Sequence, residues 1–524
     1  MIDRSTVRVP PNRAKPNPMP GRRPIAFLLL GVLAYTVVTS TWQVERVPID
    51  VHIAAIVVAT TCMIPVIRWY VRGGQGLPMF ELICLSYALQ FSLPVYTQPN
   101  RIIVLSETML LTWDSLFQTL LLVELGIIAL MVGYYVGQRS HLIQSLPRLD
   151  LPLDPARRWI YLLGALSLGG LVALLQAVGW EPLTSVGVSA IVRLIAAQLN
   201  MAIIILAYET YSQPARRWAM ALVLYALVAL AFMIGLATGL LENALAPLVL
   251  LLVVRWHAKR RFPWLGVLLG IALYFALNPA KFEYRDQVWY SGERVSFTQR
   301  LDLWADLVTG RGESVFDLGA GHINDEPLRE ALARFDLVHK FVWVRELTPA
   351  IQPYYLGETY RYFLVSWIPR IVWPEKPMAS AANELMDLDY RLKLEWQTST
   401  IGVGQLPEAY ANFGWPGVVA VMALQGLIFA SLNAVLNGSR SEGGRAIYLS
   451  VMVYYLNGIG SSAVVLFGSL LQQILANALI LRPFARSFQA KEPDTPTTTP
   501  AASPPAIAVR QRSFQYGKGT QRRR

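Results

Sequence analysis

The feature that most constrains this chain is the recurrence of uncharged apolar runs about twenty residues long, the length a helix needs to cross the hydrocarbon core of a bilayer. The stretch from Trp218 to Leu241 carries no charged side chain. In a bilayer core each backbone N–H and C=O must be paired within the protein, so such runs fold as helices and not as open strands. Of the 524 residues, 54% are hydrophobic and 15% charged, whereas soluble domains carry about 25% charged residues. The chain therefore reads as an all-α polytopic membrane protein.

Run length and flanking charge predict about twelve spanning helices. They are expected near Pro24–Ser40, His52–Ile67, Leu77–Tyr96, Ser115–Gly137, Trp159–Val178, Ala190–Tyr208, Trp218–Leu236, Leu241–Val254, Pro263–Asn278, Pro416–Leu436, Ala446–Gly460 and Val464–Leu481. The run at Leu241 is short and is expected to tilt or to enter only partly. The chain then divides into a basic tail (1–23), a nine-helix region (24–278), a long polar segment (279–415), a three-helix region (416–482) and a Pro/Ser/Thr-rich tail (483–524) that reads as disordered. Loops assigned to one side hold Arg68, Arg72, Arg139, Arg148, Arg157, Arg158, Arg216, Arg217, Arg255, Lys259, Arg260, Arg261, Arg440 and Arg445, while the short loops opposite hold only Arg46 and Arg101. Basic loops stay in the cytoplasm. Both termini are thus expected inside and the 279–415 segment outside.

The net charge of +12 lies mainly in the two tails. It reads as a cytoplasmic feature, with no nucleic-acid partner implied. Cys62 and Cys84 fall in expected spans and form neither a disulfide framework nor a metal-binding spacing. There is no phosphate-binding Gly-x-x-x-x-Gly-Lys-Ser/Thr loop, so no direct use of ATP. The histidines are scattered, Asp387 and Asp389 form only a weak carboxylate pair, and no metal or other cofactor is expected.

What remains is a set of cations and aromatics in the long polar segment. Trp367-Ile368-Pro369-Arg370-Ile371-Val372-Trp373-Pro374-Glu375-Lys376-Pro377 is too rich in proline to be a spanning helix. It holds Arg370 and Lys376 close together where tryptophans favour the membrane face. Arg285, Arg334 and Arg361 lie in the same segment, with His339 beside them in sequence; Arg193 sits near the outer end of the sixth expected span. Guanidinium forks and a lysine point charge match the oxygens of a pyrophosphate, and such cations can stabilise it as a leaving group. Arginines at a membrane face also serve to meet lipid phosphates or nearby carboxylates, so both roles stay open.

Attack by a sugar hydroxyl would call for a general base. Glu408 is the leading carboxylate, in Gly402-Val403-Gly404-Gln405-Leu406-Pro407-Glu408-Ala409-Tyr410-Ala411-Asn412-Phe413-Gly414, and Glu358 is the second. The alternative for Glu408 is an ion pair with an arginine that fixes the loop. Glu242, at the start of the eighth expected span, is an intramembrane charge of the kind that marks functional sites, although it and Arg193 can also snorkel outward. Glu124 lies mid-span and reads as a structural partner.

In these elements the chain resembles the bacterial O-antigen and oligosaccharide repeat-unit polymerases of the Wzy type. The resemblance rests on Leu77-Pro78-Met79-Phe80-Glu81, Phe91-Ser92-Leu93-Pro94-Val95-Tyr96, Thr348-Pro349, Gly357-Glu358-Thr359-Tyr360, Ile368-Pro369-Arg370 through Trp373-Pro374-Glu375-Lys376-Pro377, and Glu408 to Gly414, in family order. The chain departs from the family at Thr238-Gly239-Leu240-Leu241-Glu242, where a Ser-Gly-Ser-Arg type pattern is usual.

The resemblance implies a GT-C-like inner-membrane architecture with one large periplasmic loop. It also implies a metal-independent glycosyltransferase acting on oligosaccharides linked to polyprenyl pyrophosphate. Expected partners are that substrate, membrane lipids, a chain-length regulator and a flippase. In this reading Glu408, Arg370 and Glu358 serve the reaction, while Arg285, Arg334, Arg361, Arg370, Lys376 and Arg193 hold pyrophosphate. An O-antigen ligase and a lipid-linked oligosaccharide flippase are the alternatives, although transporters usually show two similar halves and none is visible.

Overall fold

A computed structural model describes Gly31, Tyr35 and residues 45–486, except 75, 106, 181–188, 213–216, 260–261, 290–294, 316–331, 334, 367, 369–372, 374, 379, 395–399, 438 and 440. The described chain is almost wholly helical. Its longer elements are α1 (Ile49–Val71), α2 (Met79–Phe91), α3 (Trp113–Arg139), α4 (Pro155–Gly164), α5 (Gly170–Ala177), α6 (Ser189–Ser212), α7 (Arg217–Ala237), α8 (Leu241–Lys259) and α9 (Trp264–Leu277). There follow α10 (Ala280–Trp289), α11 (Phe297–Val315), α12 (Val338–Leu347), α13 (Ala381–Asp389), α14 (Gln405–Leu432), α15 (Glu442–Gly458) and α16 (Ala463–Leu481). Among the described residues nine helices are long and apolar enough to cross a membrane. Leu85, Leu121, Val132, Leu222 and Leu475 are exposed from helices of this apolar set, as side chains facing lipid would be.

Local sequence sets the helix limits. Thr112 caps α3 by accepting from the Ser115 amide at 3.1 Å. Asp154 accepts from the Ala156 and Arg157 amides ahead of α4, with Pro155 in the first turn. A π-turn at Ala165–Gly169 joins α4 to α5, so that the two form one membrane-length element.

The expectations differ from the structure in several places. The run at Leu241 continues to Lys259, so α8 is 19 residues long and is not a short span. The run at Pro263 gives only 14 helical residues in α9, and α15 has 17. The boundary expected between Trp415 and Pro416 lies next to a kink where two helices meet, and the preceding helix, from Gln405, was not expected. Gly414, with φ 66° and ψ −155°, marks that kink. The connection after α2 holds an antiparallel hairpin of β1 (Arg101–Val104) and β2 (Glu107–Leu110), in register Arg101 to Leu110; no strand was expected there. The expected Pro24–Ser40 span lies outside the described residues apart from Gly31 and Tyr35, and so does the 487–524 tail.

The centre of the bundle is the α3–α14 pair. A Cβ on Gly133 would collide with the Ala423 carbonyl, and one on Gly426 with the Leu130 carbonyl. The backbones therefore touch, as small residues allow in membranes, where the attraction between helices is packing and not the hydrophobic effect. At one end of the bundle the Arg158 guanidinium bridges Glu209 at 2.7 Å and Glu442 at 3.0 Å, tying α4, α6 and the start of α15 together. The other end of α15 leads directly into the turn before α16.

Replacing Gly133 with valine should disrupt the bundle, since overpacking a tight contact costs about 1–3 kcal/mol. Gly270→Ala is the control, because nothing lies within 4 Å of the added Cβ. Size-exclusion profiles and Tm in detergent should show loss of monodisperse protein for Gly133→Val alone.

Candidate functional site

Opposite the Arg158 end, the long polar segment folds back onto the bundle. Arg345 on α12 donates to Thr119 Oγ1, Gln118 Oε1 and the Ser115 carbonyl of α3, at 3.0, 2.8 and 3.2 Å. Leu337 donates its amide to the Gln90 carbonyl at 3.2 Å, and Trp343 its indole N–H to the Tyr390 carbonyl at 2.9 Å. Asp387, fully buried at the end of α13, accepts from the Ile401 and Gly402 amides at 2.8 and 3.2 Å. Lys340 donates to the Gly402 carbonyl at 3.2 Å. Together they fix the turn into α14, where Gly402 (φ 68°) and Gly404 (φ 84°) take the left-handed backbone that glycine tolerates.

On the first turns of α14 stands Glu408, 0% exposed. Its Oε2 accepts from the Ala463 amide at 2.6 Å and so satisfies an orphan N–H at the start of α16. Its Oε1 is buried and makes no hydrogen bond within geometric limits among the described residues. The Thr359 hydroxyl is near enough to turn toward this carboxyl. Beside it, Gln405 donates to the Ile459 carbonyl at 2.8 Å and accepts from Tyr87 at 2.9 Å.

Asn412, one turn on, donates to the Glu408 carbonyl and to Thr359 Oγ1, both at 2.8 Å, and accepts from the Gly357 amide at 3.0 Å. The Tyr355 and Leu356 amides bond to the carbonyls of Ala411 and Asn412. The segment Gly357-Glu358-Thr359-Tyr360, whose last two residues open a 3-10 turn (Thr359–Tyr362), is thus stitched directly onto Glu408-to-Gly414. Two segments some fifty residues apart form one unit around a buried carboxylate.

The remaining expected site residues fare differently. Among the described residues Glu408 pairs with no arginine; its hydrogen-bond partner there is a backbone amide. Glu358 is partly exposed and pairs with Arg361 at 3.2 Å, and the Arg361 guanidinium lies over the Tyr362 ring. Lys376 turns inward and donates to the Ser366 and Ile368 carbonyls, both at 2.8 Å, so it clasps its own loop. His339 is buried and bonded through Nδ1 to Asp336 at 2.9 Å, while its Nε2 has no partner among the described residues. Arg193 and Glu242 are exposed, and no described hydrogen bond or ion pair joins either to Glu408. Arg334 and Arg370 lie outside the described residues. Among the described residues no group of three or more His, Cys, Asp or Glu side chains could hold a metal ion.

Arg285 is committed elsewhere. Its Nε donates to the Gly239 carbonyl at 2.9 Å, just beyond the end of α7. Around it Trp304 donates to Leu236, Tyr284 to Ala237 and Trp289 to Thr238. Arg300 donates to Ala237 at 3.1 Å and to Ala177, the last residue of α5, at 2.7 Å. These side chains answer the orphan carbonyls and the negative dipole end of spanning helices. Sequence reasoning missed Arg300, Thr359, Asn412 and Ser462. Arg300 was not singled out in the 279–415 segment, and Asn412 stood only as a member of the Glu408 motif.

The chain belongs to the family described as a domain of unknown function, DUF8712, whose model matches residues 182–466. That range contains Thr359, Glu408 and Asn412. Comparison with curated proteins and with solved structures finds no match.

Burial raises the Asp387 carboxyl above the ordinary carboxylate range, against the pull of the Ile401 and Gly402 amides and of Lys340 and Lys393. A carboxyl whose folded pKa exceeds its unfolded one stabilises the fold most when protonated. That contribution is complete below about pH 4 and is lost as pH rises toward the raised value. Wild-type Tm should therefore fall relative to Asp387→Asn as pH rises from about 4, then run parallel to it. Loss of one of the two amide contacts should leave Asp387→Asn about 1–3 kcal/mol less stable at neutral pH. A pH-independent difference in Tm would refute the assignment.

Proposed function

We propose that this member of the DUF8712 family is a glycan polymerase of the bacterial inner membrane. In this reading it joins oligosaccharide repeat units carried on polyprenyl pyrophosphate. The observation that carries it is the convergence of the Gly357–Tyr360 and Glu408–Gly414 segments, both polymerase-like, on a fully buried carboxylate whose Oε2 holds a backbone amide and whose other neighbour is the Thr359 hydroxyl. A carboxylate already holding a backbone amide on Oε2 has its orientation fixed, which suits Oε1 to take a proton.

The acceptor sugar hydroxyl attacks the anomeric carbon of the donor glycan. The new C–O bond forms as the bond from that carbon to the pyrophosphate oxygen breaks. The leaving lipid pyrophosphate keeps the electron pair, and the hydroxyl proton passes to Glu408. Cations near the site offset the charge on the leaving group. Arg361, two residues from Thr359, is the described residue for that task, and the resemblance adds Arg370 and Arg334 to it. Lys376 and Arg285 hold backbone carbonyls, Lys376 in its own loop and Arg285 beyond the end of α7.

Charge bias in the loops supports cytoplasmic termini and a periplasmic site. The nine long helices, the shorter apolar α9, the 17-residue α15 and the expected N-terminal run are consistent with twelve crossings. A flippase delivering the lipid-linked repeat and a chain-length regulator fit as partners of such an enzyme.

Glu408→Gln keeps an oxygen for the Ala463 amide and should fold normally. It should lower polymerisation by about 100-fold or more, the usual contribution of a general base. Cells carrying it at normal protein level should make glycans of one or a few repeats, and so should Arg370→Ala cells. Long chains from both variants would remove these residues from the mechanism. Accumulation of long lipid-linked polymer on deletion of the protein would instead identify a ligase.

A further inference from the structure

Ser462 stands at the N-cap of α16, where a serine normally accepts from an amide of the first turn. Here it makes no such bond. The Ala463 amide is taken by Glu408 at 2.6 Å, and the Ser462 amide donates to Asn383 Oδ1 at 2.7 Å. The Ser462 hydroxyl is left buried, at 0% exposure, with no partner among the described residues.

The Tyr360 hydroxyl is also buried and has no partner among the described residues. Its ring stacks on Phe413 and Phe363, and its neighbour Thr359 is tied to Asn412. Burial and the nearby Glu408 carboxylate push the Tyr360 phenol well above its usual pKa, so it stays an O–H donor. Among the described residues three polar atoms, Glu408 Oε1, Ser462 Oγ and Tyr360 Oη, are therefore buried without a well-aligned hydrogen bond at the meeting of α14, α16 and the 3-10 turn, with the Thr359 hydroxyl a near neighbour of the Glu408 carboxyl. Native proteins rarely leave buried polar groups unpaired, because each costs about 1–3 kcal/mol. Three such groups around one helix start point to a polar ligand that completes them.

We infer that Ser462 and Tyr360, with Glu408, form the subsite for the acceptor sugar hydroxyl. This rests on the polymerase reading and deepens it. Oε1 of Glu408 accepts the hydroxyl proton. Tyr360 donates to the hydroxyl oxygen or to its neighbour on the ring, and Ser462, able both to donate and to accept, fixes the second hydrogen-bond direction. The ligand class is a neutral vicinal diol of a pyranose. A phosphate would be repelled by the carboxylate, so the pyrophosphate of the donor must sit on the Arg361 side, away from Oε1.

The test uses the full-length protein in proteoliposomes with a lipid-pyrophosphate-linked oligosaccharide as donor and a free reducing-end oligosaccharide as acceptor. Tyr360→Phe keeps the ring stack and Ser462→Ala removes a single oxygen, so each should retain the wild-type Tm. Each should raise the acceptor KM or lower kcat by about tenfold, the worth of one hydrogen bond to a bound hydroxyl, while the KM for the lipid-linked donor stays unchanged. Unchanged acceptor kinetics in both variants, with wild-type polymerising, would overturn the subsite and leave the proposed function standing. A rise in the donor KM alone would also overturn it. A wild-type protein that forms no polymer would overturn the function and the subsite together.

Discussion

The backbone contact between α3 and α14 is the constraint on which the rest depends. Gly133 and Gly426 let two membrane-length helices approach to the distance of their own carbonyls, and in lipid such close packing is the main source of helix–helix attraction. Once α14 is held against α3, its first turns are fixed at one end of the bundle. Gly126 of α3 faces Leu406 and Val418, on either side of the break at Gly414. Arg345 then hooks α12 onto the start of α3, and the polar segment closes over Glu408. A slip of one helix turn between α3 and α14 would move Glu408 away from the Ala463 amide.

Polar contacts finish what packing begins. Asn412 holds the Gly357–Tyr360 segment through side-chain bonds, while Asp387 and Lys340 fix the turn before α14 from opposite sides. Asp387 and Lys340 lie outside the spanning runs, yet both are tied to the start of one. The same logic explains the cluster around α7. A spanning helix that ends at the membrane face exposes four carbonyls. Tyr284, Arg285, Trp289, Arg300 and Trp304 meet them with donors that also prefer an interfacial position.

Much of the fold was legible in the sequence because bilayer thickness fixes run length. The helices at Ile49, Trp113 and Trp218 follow from that alone. The hairpin at Arg101–Leu110 was not legible, since its strands are four residues each and lie between two strong helical signals. The site was legible in part. Glu408 and the Gly357–Tyr360 segment stood out as motifs, but their contact depends on a long-range fold that no local spacing encodes. Arginines proved the least legible: Arg285, Arg345 and Arg300 look alike in sequence, and only the orphan carbonyls and polar side chains of α3, α5 and α7 reveal that these cations hold helices. Ser462 gave no signal because a serine before an apolar run ordinarily means a helix cap.

The central claim is that glycan chemistry occurs at the start of α14, against α16. A cryo-EM structure of the protein in nanodiscs with a polyprenyl-pyrophosphate-linked oligosaccharide tests it most directly. The account predicts sugar density within hydrogen-bond reach of Glu408 Oε1, with the pyrophosphate toward Arg361. Density at the Arg158–Glu209–Glu442 end of the bundle, or an empty Glu408 site under a saturating lipid-linked substrate, would contradict it.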